Sequence, residues 1–464
     1  MPYKPNPLIP ETIPVELDPV YRTDCVNAPV CLYSGPLELN EEDRAYSGYG
    51  EIQLERLPVP RIMFKAEFPG WKLQPGPFRW PEGSLKMTDG RSVKFHATDF
   101  KPSISENAAA LSVSGVIEPS EFECGDSVTS VLLHIPNFQS LLGSPVRDDA
   151  GSGLRMARTV LAADDWRITL DELKANEDGT SRSFPRWLAD AGGFGITHVA
   201  KLEQSDGGSF STTNARDIEE ALFWFRSFSR GIWVSPVLAI GFDSHGARVW
   251  EEWRVRKIER WRIVESWLDI HPGVGVHQTF PGFIRRRNDA VWKKVIELAI
   301  HWYVESNMCA GAVEGGTIFA QAAFELLAWT LLVEDHKVVS RDGFGKLPAS
   351  DQLRLLFSTC KIPLTIPSSM QELSKKAAAC TWADAPEAIV QVRNALVHAN
   401  PKKRKKVLAD GDDGVRTEAW WLGLWYLELV LLWLFDFRGE YSNRLVRSGT
   451  AEQKIQLVPW AVSP

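Results

Sequence analysis

Closely spaced cysteine pairs are missing from this chain of 464 residues. Its six cysteines, Cys25, Cys31, Cys124, Cys309, Cys360 and Cys380, lie too far apart for a zinc site. In a chain this long they read as free thiols of a reducing compartment, the cytoplasm. The first residues, MPYKPNPLIPETIP, are polar and proline-rich and hold no apolar core of a secretion signal. The nine histidines show no metal-ligand spacing. His271 and His277 lie near Asp269, but Pro272-Gly273-Val274-Gly275 between the histidines has the character of a loop. A P-loop, a dinucleotide fingerprint, a nucleophile elbow and internal repeats are all lacking. These absences remove the motif-based grounds for a metal, a nucleotide or any other cofactor.

What is there begins with size. A chain of this length exceeds one ordinary core and divides into two or three domains. The formal net charge of -7 does not announce a nucleic-acid binder, but it is uneven. From Pro281 to Pro464 there are 23 basic and 20 acidic residues, so the acidic excess lies entirely in the front part. That balance restricts contact with a polyanion to the back. Nineteen tryptophans cluster mainly at 233–302 and 420–433, which predicts large buried aromatic surfaces there.

Residues 1–35 read as an extended proline-rich arm. From 36 to 280 the pattern is mostly antiparallel β. Glu51-Ile52-Gln53-Leu54-Glu55 alternates with period two, and Asp89-Gly90 sits between two such runs as a hairpin turn. Leu111–Val116 and Gly195–Val199 continue the strand signal. A helix follows, with Asn214 as its cap and Ile218, Leu222, Phe225 and Phe228 on one face. A second hairpin is expected around Ser244-His245-Gly246. From 281 to 464 helical periods take over, beginning at Pro281. Helices are expected over Val291–Val304, Gly316–Glu334, Ser350–Thr359, from a capping box at Ser369-Met370-Gln371-Glu372, from Asp384-Ala385-Pro386-Glu387, and over Trp420–Phe437. The last is nearly long enough to span a membrane. Glu428 at its centre favours a buried helix in a bundle over a membrane anchor. The architecture is thus multidomain α+β: a β-rich N-terminal domain followed by an all-α helical bundle.

The fifth of these helices ends Arg393-Asn394-Ala395-Leu396-Val397-His398-Ala399-Asn400-Pro401. On a regular helix Arg393 and His398 stand about 140° apart. Pro401 disfavours helix at the residue before it, which would let His398 swing toward Arg393. An imidazole near neutral pKa can move a proton at a ribose 2′-hydroxyl or a leaving 5′-oxygen. A guanidinium fork can hold the phosphate between them, with Asn394 adding a polar contact. Lys402, Lys403, Arg404, Lys405 and Lys406 follow at once and could track an RNA backbone. The same residues also fit a plain structural role, with Arg393 pairing an acid, His398 closing the helix and the basic run forming a solvated loop. Arg91 and His96 repeat the spacing in a strand, where positions five apart face opposite sides.

RNALVHANP within a helical bundle resembles the Arg-x(4–6)-His motif of HEPN domains. The region from about Phe283 to Leu445 is similar to the Apea-like HEPN group in particular. Ala299-Ile300-His301-Trp302-Tyr303 resembles its opening helix and Phe319–Leu327 its second. Tyr426-Leu427-Glu428-Leu429 through Phe437–Arg444 resembles its closing helix and turn. The resemblance implies a homodimer in which two Arg–His pairs share a cleft, and RNA cleavage without metal. It implies Arg393 and His398 as the catalytic pair, with Asn394 supporting. It implies service in anti-phage defence or toxin-like growth arrest, under a front domain that answers a phage-derived or host trigger. Some HEPN domains only bind RNA or scaffold a dimer, and that is the alternative. No membrane is involved on either reading.

Overall fold

The structure is a computed structural model. It describes residues 13–22, 25–41, 44–70, 82–104, 109–123, 125, 127–147, 153–177, 180–268, 274–309, 312–397, 407, 413–447 and 450–461. Six strands close the first unit into a barrel. They are β1 (Val30–Glu41), β2 (Arg44–Glu55), β3 (Arg61–Pro69), β4 (Glu82–Met87), β5 (Ser92–Ile104) and β6 (Ala109–Ile117), in the order β1-β2-β3-β6-β5-β4. Alternation creates the interior: Leu37, Leu39, Ile52, Phe64, Phe68, Leu85 and Phe95 point inward and are buried. Closure leaves no free edge for a second chain to pair with. The Asp89-Gly90 hairpin forms as expected, with Gly90 in the left-handed region at φ 91°.

The β-rich front part holds a second sheet beside the barrel. β7 (Ser120–Glu123), β8 (Ser130–Pro136), β9 (Ser144–Arg147), β10 (Leu154–Ala163), β11 (Trp166–Glu172), β14 (Ile196–Gln204), β15 (Val237–Phe242) and β16 (Arg248–Trp253) build an eight-stranded sheet outside the barrel. Two short strands, β12 (Lys174–Glu177) and β13 (Thr180–Ser183), pair apart from it and lead into α1 (Phe184–Ala191). α2 (Thr212–Arg230) follows β14. Its cap is Ser211, whose hydroxyl accepts the Asn214 amide at 3.2 Å, so Asn214 is capped rather than capping. One core fills the barrel and takes in Ile196, Val237, Leu238 and Trp253 of the sheet, while another runs from the sheet without a break into the C-terminal helices.

Two elements run across the expected boundaries. β1 starts at Val30, inside the expected arm. Pro281 lies within α3 (Val274–Asn288) rather than before the helices. Phe280 and Phe283 flank the proline, are fully buried and pack on Phe225 of α2. Their burial outweighs the missing amide.

The bundle continues with α4 (Lys293–Asn307), α5 (Ala312–Trp329), α6 (Arg341–Lys346), α7 (Ala349–Thr359), α8 (Gln371–Cys380), α9 (Ala385–Val397) and α10 (Asp413–Leu434). A π-helical turn over Thr330–Asp335 prolongs α5. The span Ala312–Asp335 is long and apolar enough to cross a membrane, yet two-thirds of its apolar stretch is buried here by other helices. The expected capping box at Ser369 does not form; Glu418 of α10 accepts the Leu373 amide at 2.7 Å instead. α10 is apolar nearly all round and central. Its Glu428 accepts the Tyr303 hydroxyl at 2.6 Å and Nε of Arg444 at 2.9 Å, all three side chains being buried.

α3 and the end of α10 approach closely at Gly282, where a Cβ would lie 1.8 Å from the Phe435 carbonyl oxygen. Backbone on both sides cannot yield cheaply. Gly282→Ala is therefore expected to cost about 1–3 kcal/mol in a denaturant titration. Gly345→Ala, which meets nothing within 4 Å, serves as the neutral control.

Residues 13–22 of the arm lie along the large sheet. The Glu16 amide donates to the Arg147 carbonyl at 2.9 Å and the Leu17 amide to Asp171 Oδ2 at 2.7 Å. Further along, the Tyr21 amide donates to Nε2 of His134 at 3.0 Å, and Nδ1 of His134 meets the Leu238 carbonyl at 3.0 Å. These partners require a neutral ring, and burial pushes its pKa down to about 4. A histidine whose folded pKa is depressed stabilises fully above its unfolded value of about 6.5. That contribution is lost as pH falls from there toward the folded value. His134 should thus cost roughly 3 kcal/mol between pH 6.5 and 4. Melting curves of wild type and His134→Gln over that range check this: the variant should show the shallower pH slope, and parallel slopes would contradict it.

Candidate functional site

α9 begins as its sequence dictates. Asp384 Oδ1 accepts the Glu387 amide at 3.0 Å, and Glu387 Oε2 accepts the Ala383 amide at 2.9 Å. Arg354 of α7 grips Asp384 through Nε and Nη2. Ala388, Ile389, Val392 and Ala395 then bury one face against α5, α7 and α10. That packing sets Arg393 and Asn394 on the border between core and solvent.

Arg393 reaches across to α5. Its Nη2 lies 3.7 Å from Oε1 of the exposed Glu325, and its Nη1 donates to Asn394 Oδ1 at 3.2 Å. Its Nε is buried without a partner. Gln321, one turn before Glu325, donates to the same carboxylate oxygen at 3.2 Å, while its own Oε1 is buried and unpartnered. The Arg393 side chain is 30% exposed. A pair this long and this open to water contributes about 0–1 kcal/mol. The fork is therefore held near its place without being tied down.

His398 and the run Lys402, Lys403, Arg404, Lys405 and Lys406 lie outside the described residues, as does Pro401. The structure thus joins Arg393 to Asn394 and adds Gln321 and Glu325, which the sequence reading missed. Both added residues come from α5, distant in sequence, and only the Gln-x3-Glu spacing hints that they share a helix face. Arg91 and His96, which share the spacing of Arg393 and His398, turn to different partners. Arg91 binds Asp89 and Glu251, while His96 faces Glu82 and Glu118. Among the described residues no group of three His, Cys, Asp or Glu side chains could hold a metal ion.

Another charged cluster sits where α2 meets the sheet. Glu219 is buried beside Glu252, and burial with that neighbouring carboxylate raises its pKa to about 8. Arg216 and Arg254 both pair with Glu252.

Comparison with known proteins fits this layout. Residues 124–264 match the model of the YopA central domain. Residues 289–455 match that of the YopA C-terminal domain. The chain is similar to YopA along nearly its whole length. It is 26% identical over 438 residues to the SPbeta prophage-derived uncharacterized protein YopA of Bacillus subtilis (strain 168), covering 94% of this chain and 96% of that protein. No solved structure matches. The YopA central match takes in α2 and the large sheet apart from β7, and the C-terminal match takes in α4 to α10. The barrel precedes both.

Proposed function

We propose that the helical bundle is a metal-independent endoribonuclease of HEPN type, acting as a cytoplasmic homodimer under control of the β-rich front part. The reaction is transesterification. The ribose 2′-oxygen attacks the adjacent phosphorus, the 5′-oxygen leaves, and the products carry a 2′,3′-cyclic phosphate and a 5′-hydroxyl. His398 moves the proton, Arg393 clamps the phosphate with Asn394 beside it, and Lys402, Lys403, Arg404, Lys405 and Lys406 follow the RNA backbone.

One observation carries this reading: Arg393 stands at the α5–α9 border with its fork only loosely engaged by an exposed acid. A phosphate, with its greater charge, can displace that carboxylate. The prophage origin of the similar Bacillus protein agrees with a role in conflict between phage and host, as a growth-arresting or defence nuclease. The trigger is a phage-derived or host molecule met by the front part.

The test is incubation of the purified full-length protein with total RNA in EDTA. The reading expects cleavage that needs no metal. A protein that dimerises but leaves RNA intact, even with phage-infected extract added, would instead be a scaffold or RNA-binding module.

A further inference from the structure

α2 carries an arginine where its apolar stripe calls for leucine. Ile218, Leu222 and Arg226 follow one another at i, i+4 on the face turned to the core. Arg226 is 0% exposed, and its guanidinium lies over the Phe138 ring at 4.5 Å. None of its three nitrogens has an acceptor. The other buried arginines among the described residues all find one. Arg56 donates to main-chain carbonyls, Arg230 to the Arg262 carbonyl, Arg287 to Asp217 and Arg444 to Glu428. A ring face offsets only part of what desolvating a full charge costs.

The surroundings of Arg226 share its shortage. Phe138 meets the His198 ring edge-on at 5.4 Å. His198 is buried on β14, directly opposite Glu172 of β11. Arg155 of β10 pairs with Glu16 of the arm through Nη2, which also donates to the Glu172 carbonyl at 2.9 Å, while its Nε is buried without an acceptor. Gln139, next to Phe138, has a buried Nε2 that also lacks one. Burial, helped by Arg226 and Arg155 on either side, holds the His198 pKa well below its ordinary value. Two acids are at hand: Glu16 is taken up by Arg155, and Glu172 already accepts the Ser140 hydroxyl at 2.9 Å, with burial raising its pKa. The cluster therefore offers five unused donor atoms, and in Arg226 one buried cation with no acid of its own, since Glu16 serves Arg155 and Glu172 is engaged. A carboxylate brings only two oxygens to these donors; a phosphate group, with more oxygens and more lone pairs, suits them better.

We propose that Arg226 and Arg155, with Gln139 and His198 beside them, form an internal binding site for a phosphate group, carried either by inorganic phosphate or by a small phosphate monoester. Arg226 is its fully buried end, and Arg155, 20% exposed and paired with Glu16, its end nearer solvent. The site lies between α2 and the sheet, whose core continues into the bundle, so its occupant stabilises the junction of the two halves. It stands whether or not the bundle cleaves RNA.

Thermal melting of the full-length protein, dialysed free of phosphate, tests the site. Inorganic phosphate and glycerol phosphate are added in turn at millimolar concentration, with sodium chloride of matched ionic strength as the control. A ligand of the folded state raises the melting temperature with its concentration. At least one phosphate should raise it by several degrees where chloride does not, and the larger of the two shifts identifies the source. Arg226→Met should melt no lower than the unliganded wild type, because it removes an unpaired buried charge, and should lose the phosphate shift. Should that variant fail to fold, Arg155→Met at the end nearer solvent is expected to weaken the shift at least tenfold in phosphate concentration. Equal melting in both phosphates and chloride, or a phosphate shift retained in either variant, overturns the proposal.

Discussion

Arg393→Ala is expected to lower RNA cleavage by about 100-fold or more, the usual cost of deleting one donor to a developing oxyanion. The melting temperature should barely move. Its ion pair with Glu325 spans 3.7 Å at the surface, so little stability is lost with it. His398→Ala should reduce cleavage by roughly 10²–10⁴-fold, the range for a general acid or base. Arg393→Lys keeps the charge but loses the two-pronged geometry, and falls between wild type and alanine. Glu325→Gln removes the competing carboxylate and should leave cleavage equal or higher. A purely structural Arg393 reverses this pattern: alanine would lower the melting temperature, and any loss of activity would follow loss of fold. Initial cleavage rates set beside melting curves separate the two.

Glu428→Ala should produce the largest loss of stability in the chain. Glu428 and Arg444 are buried, and Arg444 Nη2 also donates to the Glu265 carbonyl at 3.1 Å, tying the helices to the segment before α3. Removing the carboxylate strands a buried guanidinium and leaves the Tyr303 hydroxyl without its acceptor. Breaking one side of such a pair costs about 3–5 kcal/mol. The double variant Glu428→Leu with Arg444→Met removes both charges and should recover most of that loss. Urea denaturation of Glu428→Leu, Arg444→Met and the double variant measures the coupling. Additive losses would mean that the pair does not act as a unit.

The hairpins and most of the helices were legible because their signals are local. Asp89-Gly90 needs only its neighbours to turn, and α9 announces itself with Asp384, Pro386 and Glu387. Pro281 misled because two buried phenylalanines outweigh a lost hydrogen bond. Barrel closure and the order of the large sheet depend on pairings between distant strands, which no local pattern encodes. The candidate site divides in the same way. Arg393 and Asn394 stand in a readable motif, whereas Gln321 and Glu325 reach them from another helix. Arg226 had a readable signal, a charge continuing the Ile218–Leu222 row, yet its setting becomes visible only once β8, β10 and β14 lie beside α2.

The proposed cleavage is one chemical event at Arg393 and His398, and the ends of the cut RNA report on it directly. A defined oligoribonucleotide cleaved by the full-length protein in EDTA should yield fragments ending in 2′,3′-cyclic phosphate, with 5′-hydroxyl partners. Both should vanish in Arg393→Ala and His398→Ala. Fragments bearing 3′-hydroxyl and 5′-phosphate ends, or cleavage undiminished in both variants, would contradict the account.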